Sequence, residues 1–195
     1  MSSTIAAIIW AVGMVVWFLI RRPHQRRARK LAVATSRRSI GERVALAIAT
    51  FGVIVVPLVH ILTGALRFAD YPFHPWAGWI GLIVMIAFLW LFYESHRILG
   101  KNWSITLEIR KDHKLIREGI YGHVRHPMYS AFWLWGLAQA FLFPNWVVGV
   151  SGLLCFAVLY FSRIGKEEAM MREQFGASYD DYCRETGRVI PKLGR

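Results

Sequence analysis

The chain has 195 residues, 55% of them hydrophobic, and carries 24 Lys and Arg against 12 Asp and Glu, a formal net charge of +12. This length suits one domain, and a basic balance fits either nucleic acid or anionic lipid as partner. Several long apolar runs exclude a soluble nucleic-acid module, so the expected partner is the lipid bilayer and not nucleic acid. Cys155 and Cys183 lack metal-site spacing, and the seven His form no helix-face ligand pair, so no metal is expected.

Five apolar segments are candidates for membrane-spanning helices, which need roughly 17–25 mostly apolar residues. In chain order they are residues 4–20, 44–66, 76–92, 129–143 and 146–161. Pro144 and Asn145 separate the last two, and because proline ends a helix, these two are predicted to form a tight helical hairpin. The predicted fold class is all-α: a polytopic membrane protein with about five transmembrane helices and a cytoplasmic C-terminal cofactor pocket.

The basic residues predict an orientation. Of the 24 Lys and Arg, 23 lie in residues 21–43, 93–128 and 162–195, and Arg67 is the exception. By the positive-inside rule these three segments face the cytoplasm. The N-terminus is then outside, and the active site and C-terminus are cytoplasmic, at the inner membrane if the source is a bacterium.

Two polar clusters lie at the predicted cytoplasmic ends of the spans. The first runs over residues 96–129 and ends in GHVRHPMY, residues 122–129. The second is RIGKEE, residues 163–168, which is followed by Tyr179, Tyr182 and Arg188. Pro127 disfavours helical geometry at the residue before it and can open the next helix at its first turn. Both clusters are therefore expected to border one cavity.

Three segments resemble the isoprenylcysteine carboxyl methyltransferase and phospholipid methyltransferase superfamily. They are HKLIREGIYGHVRHPMY (113–129), RIGKEE (163–168) and YDDYCRETGRVIP (179–191), and LGKNWS (99–104) fits bacterial members. The chain departs from the family pattern at Ile120, often Pro, and at Ala131, usually Gly. The resemblance implies a membrane methyltransferase that binds S-adenosylmethionine without a Rossmann fold. We expect one domain over 1–195, with a transmembrane scaffold in 1–92 and the cofactor-binding and catalytic part in 93–195.

The resemblance also implies roles for individual residues. Expected to line the cofactor are His113, Lys114, Leu115, Ile116, Tyr121, Arg125, His126, Pro127, Met128, Tyr129 and Glu167. Expected to act in catalysis are Arg163 and His126, and expected to contact the acceptor are Arg163, Glu168, Tyr182 and Arg188.

The chemistry of these residues agrees with that implication. S-adenosylmethionine carries a sulfonium cation, which a carboxylate such as Glu167 or an aromatic ring such as Tyr121 or Tyr129 can stabilise. Its carboxylate needs hydrogen-bond donors, which Arg125 or His126 could give, and the N–H groups at a helix start favour an anion.

Methyl transfer is an in-line displacement, and alignment of donor and acceptor can supply up to about 7–11 kcal/mol. A carboxylate acceptor is already ionised at neutral pH, so it needs no base, and Arg163 would orient it. A protonated amine or a thiol needs a base, for which His126 and Glu168 are the candidates. The favoured acceptor is a lipophilic or small carboxylate, such as an isoprenylcysteine or an analogue.

Three other functions stay open. One is a phospholipid amine N-methyltransferase, and another is an NADPH-dependent membrane sterol or enone reductase, which has a similar Arg/His/Tyr turn. The third is a haem or metal carrier that uses His96, His113 and His126. The adjacent Glu167 and Glu168 favour a sulfonium over the 2′-phosphate of NADPH, which prefers Arg and Lys. The sequence gives neither the acceptor nor the oligomeric state.

Overall fold

The computed structural model describes residues 1–28, 33–36, 39–100, 108–110 and 115–192. The helices are α1 (Ser3–Ala28), α2 (Ile40–Thr50), α3 (Val56–Thr63), α4 (Pro75–Leu99), α5 (Pro127–Leu142), α6 (Trp146–Phe175) and α7 (Ala177–Glu185). A π-helical turn, Phe51–Val55, joins α2 to α3, and 3-10 turns cover Arg67–Ala69 and Gly119–Gly122. Strands β1 (Val33–Ser36) and β2 (Glu108–Arg110), which the sequence did not predict, pair antiparallel and join two polar loops.

The prediction of an all-α polytopic membrane protein is confirmed, with a correction to the number of spans. Within the described ranges, four segments are long and apolar enough to cross a membrane: Ser3–Ala28, Ile40–Thr63, Pro75–Leu99 and Trp146–Phe175. The predicted hairpin helix α5 is present, but it has only 16 residues. Its length is limited because Pro127 opens it and Pro144 follows its end.

Two helices continue well beyond the apolar runs that predicted them. α1 extends through Pro23 to Ala28, and α6 extends to Phe175. The apolar run marks only the part of a helix that needs a hydrocarbon environment, whereas the hydrogen-bonded backbone continues into polar residues. Residues 163–168, predicted to begin a cytoplasmic tail, therefore lie within α6.

Helix α4 packs against α1 and α5, α5 packs against α6, and α6 packs against α2. Trp135 of α5 is fully buried beside Phe88 of α4, with ring centroids 4.7 Å apart. A Cβ on Gly136 would lie 3.0 Å from the main-chain nitrogen of Leu153, so this glycine allows α5 and α6 to approach closely. The ends of the helices that carry the two polar clusters are thereby brought to the same side of the bundle.

A buried polar contact fixes the π-helical turn. The side-chain amide of Gln139 donates to the Gly52 carbonyl at 3.1 Å, and the Ser151 hydroxyl donates to the same oxygen at 2.9 Å. A π-turn interrupts the regular helical hydrogen bonds, and these side chains satisfy a main-chain group inside the bundle. The contact ties the π-helical turn, which directly follows α2, to α5 and α6.

The α5–α6 hairpin is held at its tip by Asn145. Its side-chain oxygen accepts from the Val148 N–H at 2.9 Å, which caps α6. Its side-chain nitrogen donates to the Leu66 carbonyl and to Asp70 Oδ1, each at 2.6 Å. The segment after α3 is thus anchored at the end of the bundle opposite the polar clusters.

Candidate active site

Main-chain hydrogen bonds hold the GHVRHPMY turn against the C-terminal tail. The Arg125 N–H donates to the Gly187 carbonyl at 2.8 Å, and the His126 N–H donates to the Arg188 carbonyl at 2.9 Å. The Gly187 N–H in turn donates to the His123 carbonyl at 3.1 Å. A Cβ on Gly187 would lie 1.8 Å from a main-chain oxygen of the tail, so only glycine permits this pairing. The N–H groups of Arg125 and His126 are therefore used by the tail.

Glu168 is the centre of an ion-pair network. Arg188 donates to it twice, from Nε to Oε1 at 3.0 Å and from Nη2 to Oε2 at 2.7 Å. Arg125 donates from Nη2 to Oε1 at 3.1 Å and from Nη1 to the carbonyls of Cys183 and Thr186. The Glu168 side chain is only 3% exposed. Its contacts join the turn, α6 and the tail, which favours a positioning role over the acceptor contact expected from the sequence.

Glu167, the next residue on α6, has a different environment. The Tyr129 hydroxyl donates to its Oε2 at 2.6 Å, and Nδ1 of His126 lies 3.7 Å from its Oε1. Its side chain is 35% exposed. Arg163, one helical turn earlier, acts on it electrostatically. Glu167 is thus a positioned carboxylate that keeps part of its surface available to a ligand.

The imidazole of His126 lies between the two carboxylates. Its Nε2 is 3.5 Å from Oε1 of Glu168, on the side of the ring opposite Glu167. Burial alone would lower the pKa of His126, but the nearby carboxylates of Glu167 and Glu168 favour its charged form, outweigh burial and raise that pKa. A protonated imidazolium donates hydrogen bonds and accepts none, so the raised pKa favours anion binding over action as a base.

Arg163 forms a buried ion pair with a residue that the sequence analysis missed. Its Nη2 lies 3.6 Å from Oε1 of Glu42, and the two side chains are 10% and 3% exposed. Glu42 lies in the first turn of α2, whose N-cap Ser39 accepts the Glu42 N–H at 3.1 Å. The Ser-x-x-Glu spacing at 39–42 signals a helix start. Nothing in the sequence indicates that the glutamate faces a helix more than a hundred positions later.

Two tyrosines join the turn to α4 and α7. The Tyr182 hydroxyl donates to the Tyr121 carbonyl at 2.6 Å, and both side chains are buried. Tyr121 also lies close to Ser95 of α4, whose hydroxyl donates to the Leu91 carbonyl at 2.6 Å. Because the Tyr182 hydroxyl is already engaged, the geometry favours Tyr182 as support for Tyr121 over the acceptor contact expected from the sequence.

The remaining predicted cofactor residues lie on the segment that leads into α5. Leu115 and Ile116 are half-buried just before the 3-10 turn. Pro127 is buried at the start of α5, and Met128 packs against the main hydrophobic core. His113 and Lys114 lie outside the described residues.

The network contains buried polar atoms without a hydrogen-bond partner. Within the part of the chain that the structure describes, they include Nε2 of His126, Nε of Arg125 and the hydroxyl of Tyr179, which is only 1% exposed. Tyr179 lies close enough to Glu168 and Arg125 to interact with both electrostatically. Together with the partly exposed Glu167, these donors and acceptors fit a zwitterionic cofactor that bears an additional cation.

Metal or haem binding has less support. Among the residues that the structure describes, no group of three or more His, Cys, Asp or Glu could hold a metal ion. His96, suggested as a haem ligand, is fully buried in α4, and its Nδ1 lies 2.9 Å from the Phe92 carbonyl oxygen. Its ring packs 4.8 Å from that of His24, which lies in α1. His113 lies outside the described ranges.

Known proteins are similar to this chain in the region of the site. The sequence model of the "Isoprenylcysteine carboxyl methyltransferase (ICMT) family" matches residues 79–173. A "Protein-S-isoprenylcysteine O-methyltransferase" of Schizosaccharomyces pombe is 38% identical over 96 residues, which are 48% of this chain and 41% of the relative. A "Probable protein-S-isoprenylcysteine O-methyltransferase" of Oryza sativa subsp. indica is 27% identical over 136 residues, covering 69% of this chain and 71% of the relative.

A solved structure is also similar. It is described as "Structure of the eukaryotic intramembrane Ras methyltransferase ICMT (isoprenylcysteine carboxyl methyltransferase) without a monobody". The TM-score is 0.54 at 25% sequence identity, over 80% of this chain and 53% of the other. The chain thus spans about half of that structure and less than half of the S. pombe relative. These three proteins are named as methyltransferases and none as a reductase, which does not favour the reductase alternative.

Proposed function

We propose that this chain, which belongs to the isoprenylcysteine carboxyl methyltransferase family, transfers a methyl group from S-adenosylmethionine to the carboxylate of a lipophilic acceptor. The names of its relatives support the reaction class, and the charges of the site support the choice of donor and acceptor. The products would be a methyl ester and S-adenosylhomocysteine.

Glu167 and the GHVRHPMY turn would hold the cofactor. S-adenosylmethionine supplies, when bound, a methyl group attached to a positively charged sulfur. Glu167 would stabilise that cation with its carboxylate, which Tyr129 orients by a hydrogen bond of 2.6 Å. His126 would donate to the cofactor's carboxylate, and Glu168 would keep Arg125 beside it. Tyr121 would complete the wall of the pocket.

The balance of charge is the observation that carries the choice of acceptor. The described ionic groups of the network are Arg125, Arg163, Arg188, Glu42, Glu167 and Glu168, and the pKa of His126 is raised. Three guanidinium groups of these ion pairs match three carboxylates, and Arg21 of α1 adds a fourth guanidinium that acts on Arg163 electrostatically. With a protonated His126, the described groups therefore leave a positive excess. The cofactor adds one net positive charge. A carboxylate acceptor would offset this charge, whereas an ammonium acceptor would increase it in a poorly solvated site.

Arg163 would orient the acceptor's carboxylate. It is on the same face of α6 as Glu167, one turn away, so both reactants would meet beside one helix. A carboxylate is ionised at neutral pH and needs no base, so the protein contributes by alignment and by removing water from the attacking oxygen.

The multi-pass membrane fold supports a lipophilic acceptor, namely an isoprenylcysteine or an analogue that enters from the bilayer. The clustering of Lys and Arg in the polar loops and tail supports a cytoplasmic site and C-terminus, with the N-terminus outside. The anionic headgroups of that leaflet would contact the same basic residues.

The test uses purified full-length protein in lipid nanodiscs, methyl-labelled S-adenosylmethionine and N-acetyl-S-farnesylcysteine, whose amine is blocked. We expect label in the acceptor that mild base releases as volatile methanol, because esters hydrolyse under these conditions and N-methyl groups do not. A parallel reaction with phosphatidylethanolamine vesicles should give no labelled lipid. Base-stable label in the phospholipid, without an ester product, would refute carboxyl methylation and identify an N-methyltransferase.

A further inference from the structure

We propose that Glu42 sets the acceptor specificity of the site, by occupying Arg163 until the acceptor's carboxylate takes its place. This inference rests on the proposed function, since it concerns the group that Arg163 binds. The family model matches residues 79–173, whereas Glu42 lies in α2, outside that range.

The geometry of the two ion pairs differs in a way that points to exchange at Arg163. Arg188 contacts Glu168 through two hydrogen bonds of 3.0 and 2.7 Å. The separation between Arg163 Nη2 and Glu42 Oε1 is 3.6 Å, which is an ion-pair distance but beyond a hydrogen bond. The pair at Glu168 is therefore a fixed structural contact, and the pair at Arg163 is the looser of the two.

Glu42 also lies where the reaction would occur. Tyr129, which holds Glu167, interacts electrostatically with Glu167, Arg163 and Glu42 together. The carboxylate of Glu42 is thus in the same group of charges as the proposed cofactor-binding glutamate. A carboxylate that approaches Arg163 must therefore compete with one that the protein itself supplies.

Burial explains why Arg163 needs a carboxylate from the protein before the acceptor binds. Arg163 and Glu42 are 10% and 3% exposed, and a buried charge without a counter-ion is strongly unfavourable. Glu42 neutralises Arg163 before the acceptor arrives, and exchange of one carboxylate for another preserves this balance. The displaced Glu42 would lie at the N-terminus of α2, where the helix dipole favours an anion and where Ser39, Ile40 and Gly41 are exposed to solvent.

The same exchange would release the product. The acceptor's oxygen forms a bond to the methyl carbon while the bond from carbon to sulfur breaks, and its electron pair stays on sulfur. The acceptor becomes an uncharged ester, which no longer offsets the charge of Arg163. Glu42 would then return to Arg163 and exclude the ester. The protein would thereby distinguish the acid from its ester by charge alone.

The test compares wild type with Glu42→Gln, in which a neutral amide replaces the competing carboxylate. The probes are N-acetyl-S-farnesylcysteine as acceptor and its methyl ester as inhibitor. We expect the KM for the acid to fall roughly three- to tenfold. The Ki of the ester should fall as well, because no carboxylate then returns to Arg163 to exclude the ester. The rate constant for chemistry in a single turnover should change less than about twofold, because Glu42 takes no part in the methyl transfer itself.

Two further variants make the result decisive. Glu42→Asp keeps the charge but moves it away from Arg163 by one methylene, so it should also lower the KM for the acid, by a smaller factor. If Glu42→Gln does not fold, the KM of Glu42→Asp tests the role of Glu42. Glu94→Gln is the matched control, because Glu94 pairs with Arg97 on α4 and lies outside the proposed site. It should leave the KM unchanged.

A KM for the acid that stays constant or rises in folded Glu42 variants, with cofactor affinity intact, would overturn the role of Glu42. Failure of the proposed function looks different, because wild type itself would then form no base-labile ester. Binding of the acid in the presence of S-adenosylhomocysteine, followed by tryptophan fluorescence, measures the exchange without turnover. That binding should also tighten in Glu42→Gln.

Discussion

Arg188 donates two hydrogen bonds, of 3.0 and 2.7 Å, to the carboxylate of Glu168, and so joins the C-terminal tail to the C-terminal half of α6. The same carboxylate accepts from Arg125 in the turn before α5. Three segments that are distant in sequence thus meet at one buried group, and the position of the turn depends on it.

Glu168→Gln should destabilise the protein by about 3–5 kcal/mol, because it leaves Arg125 buried without its counter-ion. Arg188→Ala should cost only about 1–2 kcal/mol, since Arg188 is half-exposed and Glu168 keeps Arg125. Denaturant unfolding in detergent measures both. Arg184→Ala, which removes an exposed pair with Asp181, is the control and should change the free energy of unfolding by less than about 1 kcal/mol. Equal effects of Glu168→Gln and Arg188→Ala would contradict the ranking.

Glu167→Gln should weaken the binding of S-adenosylmethionine about tenfold or more, since it removes a carboxylate beside a cation while a similar side chain remains for Tyr129 to contact. Isothermal titration calorimetry measures the change. The control is Glu173→Gln, an exposed carboxylate on the same helix, which should bind the cofactor as wild type does. Unchanged affinity in Glu167→Gln would remove this residue from the site.

The raised pKa of His126 makes stability depend on pH. A folded pKa above the unfolded value of about 6.5 means that the folded protein holds this proton more tightly. The stabilisation is complete below about pH 6.5 and is lost as the pH rises through the folded pKa. The free energy of unfolding should therefore fall with rising pH in wild type and be flatter over the same range in His126→Gln. Parallel curves for the two proteins would show that another group is responsible.

Arg163→Ala should leave the Kd for the cofactor nearly unchanged and abolish ester formation. It should also destabilise the fold, because the buried Glu42 would lose its ion pair with Arg163. In the double variant with Glu42→Gln we expect the free energy of unfolding to recover by roughly 2–4 kcal/mol while ester formation stays absent. Unfolding and single-turnover assays on the two single variants and the double variant separate the effects. Recovery of activity in the double variant would mean that Arg163 does not bind the acceptor.

Tyr179→Phe removes a hydroxyl that is buried without a hydrogen-bond partner. The variant should therefore be as stable as wild type, or more stable by up to about 1–3 kcal/mol, when no cofactor is present. A bound cofactor would give this hydroxyl a partner, so the rise in melting temperature caused by S-adenosylmethionine should be smaller in the variant than in wild type. A less stable variant with an unchanged cofactor effect would indicate an ordinary structural hydrogen bond.

Helices were predictable here because the backbone of a segment in lipid must form its hydrogen bonds within that segment. The prolines at 127 and 144 marked the two ends of α5, and the asparagine at 145 marked the start of α6. The polar C-terminal ends of α1 and α6 lie further along the chain than the apolar runs predicted. Polar residues can continue a helix or leave it, so the extension of α6 to Phe175 has no signal in hydropathy.

The candidate site was predictable where its residues share a helix or a turn. Arg163 and Glu167 are one turn apart on α6, and the spacing alone puts them on one face. The contrast between Glu167 and Glu168 was not predictable, because adjacent residues of the same type differ only in what surrounds them. Glu168 is 3% exposed and faces two arginines, whereas Glu167 is 35% exposed and faces Tyr129.

The sequence by itself determined that the chain is a helical membrane protein and predicted that its Lys and Arg gather at one side, because hydrophobicity and charge act through the solvent and need no particular partner. Only the tertiary structure decided which charges pair. Glu42 meets Arg163 because the packing of α2 on α6 places the first turn of one helix beside the polar end of the other. A pair between distant segments depends on distance and burial, and neither is set until the helices have packed.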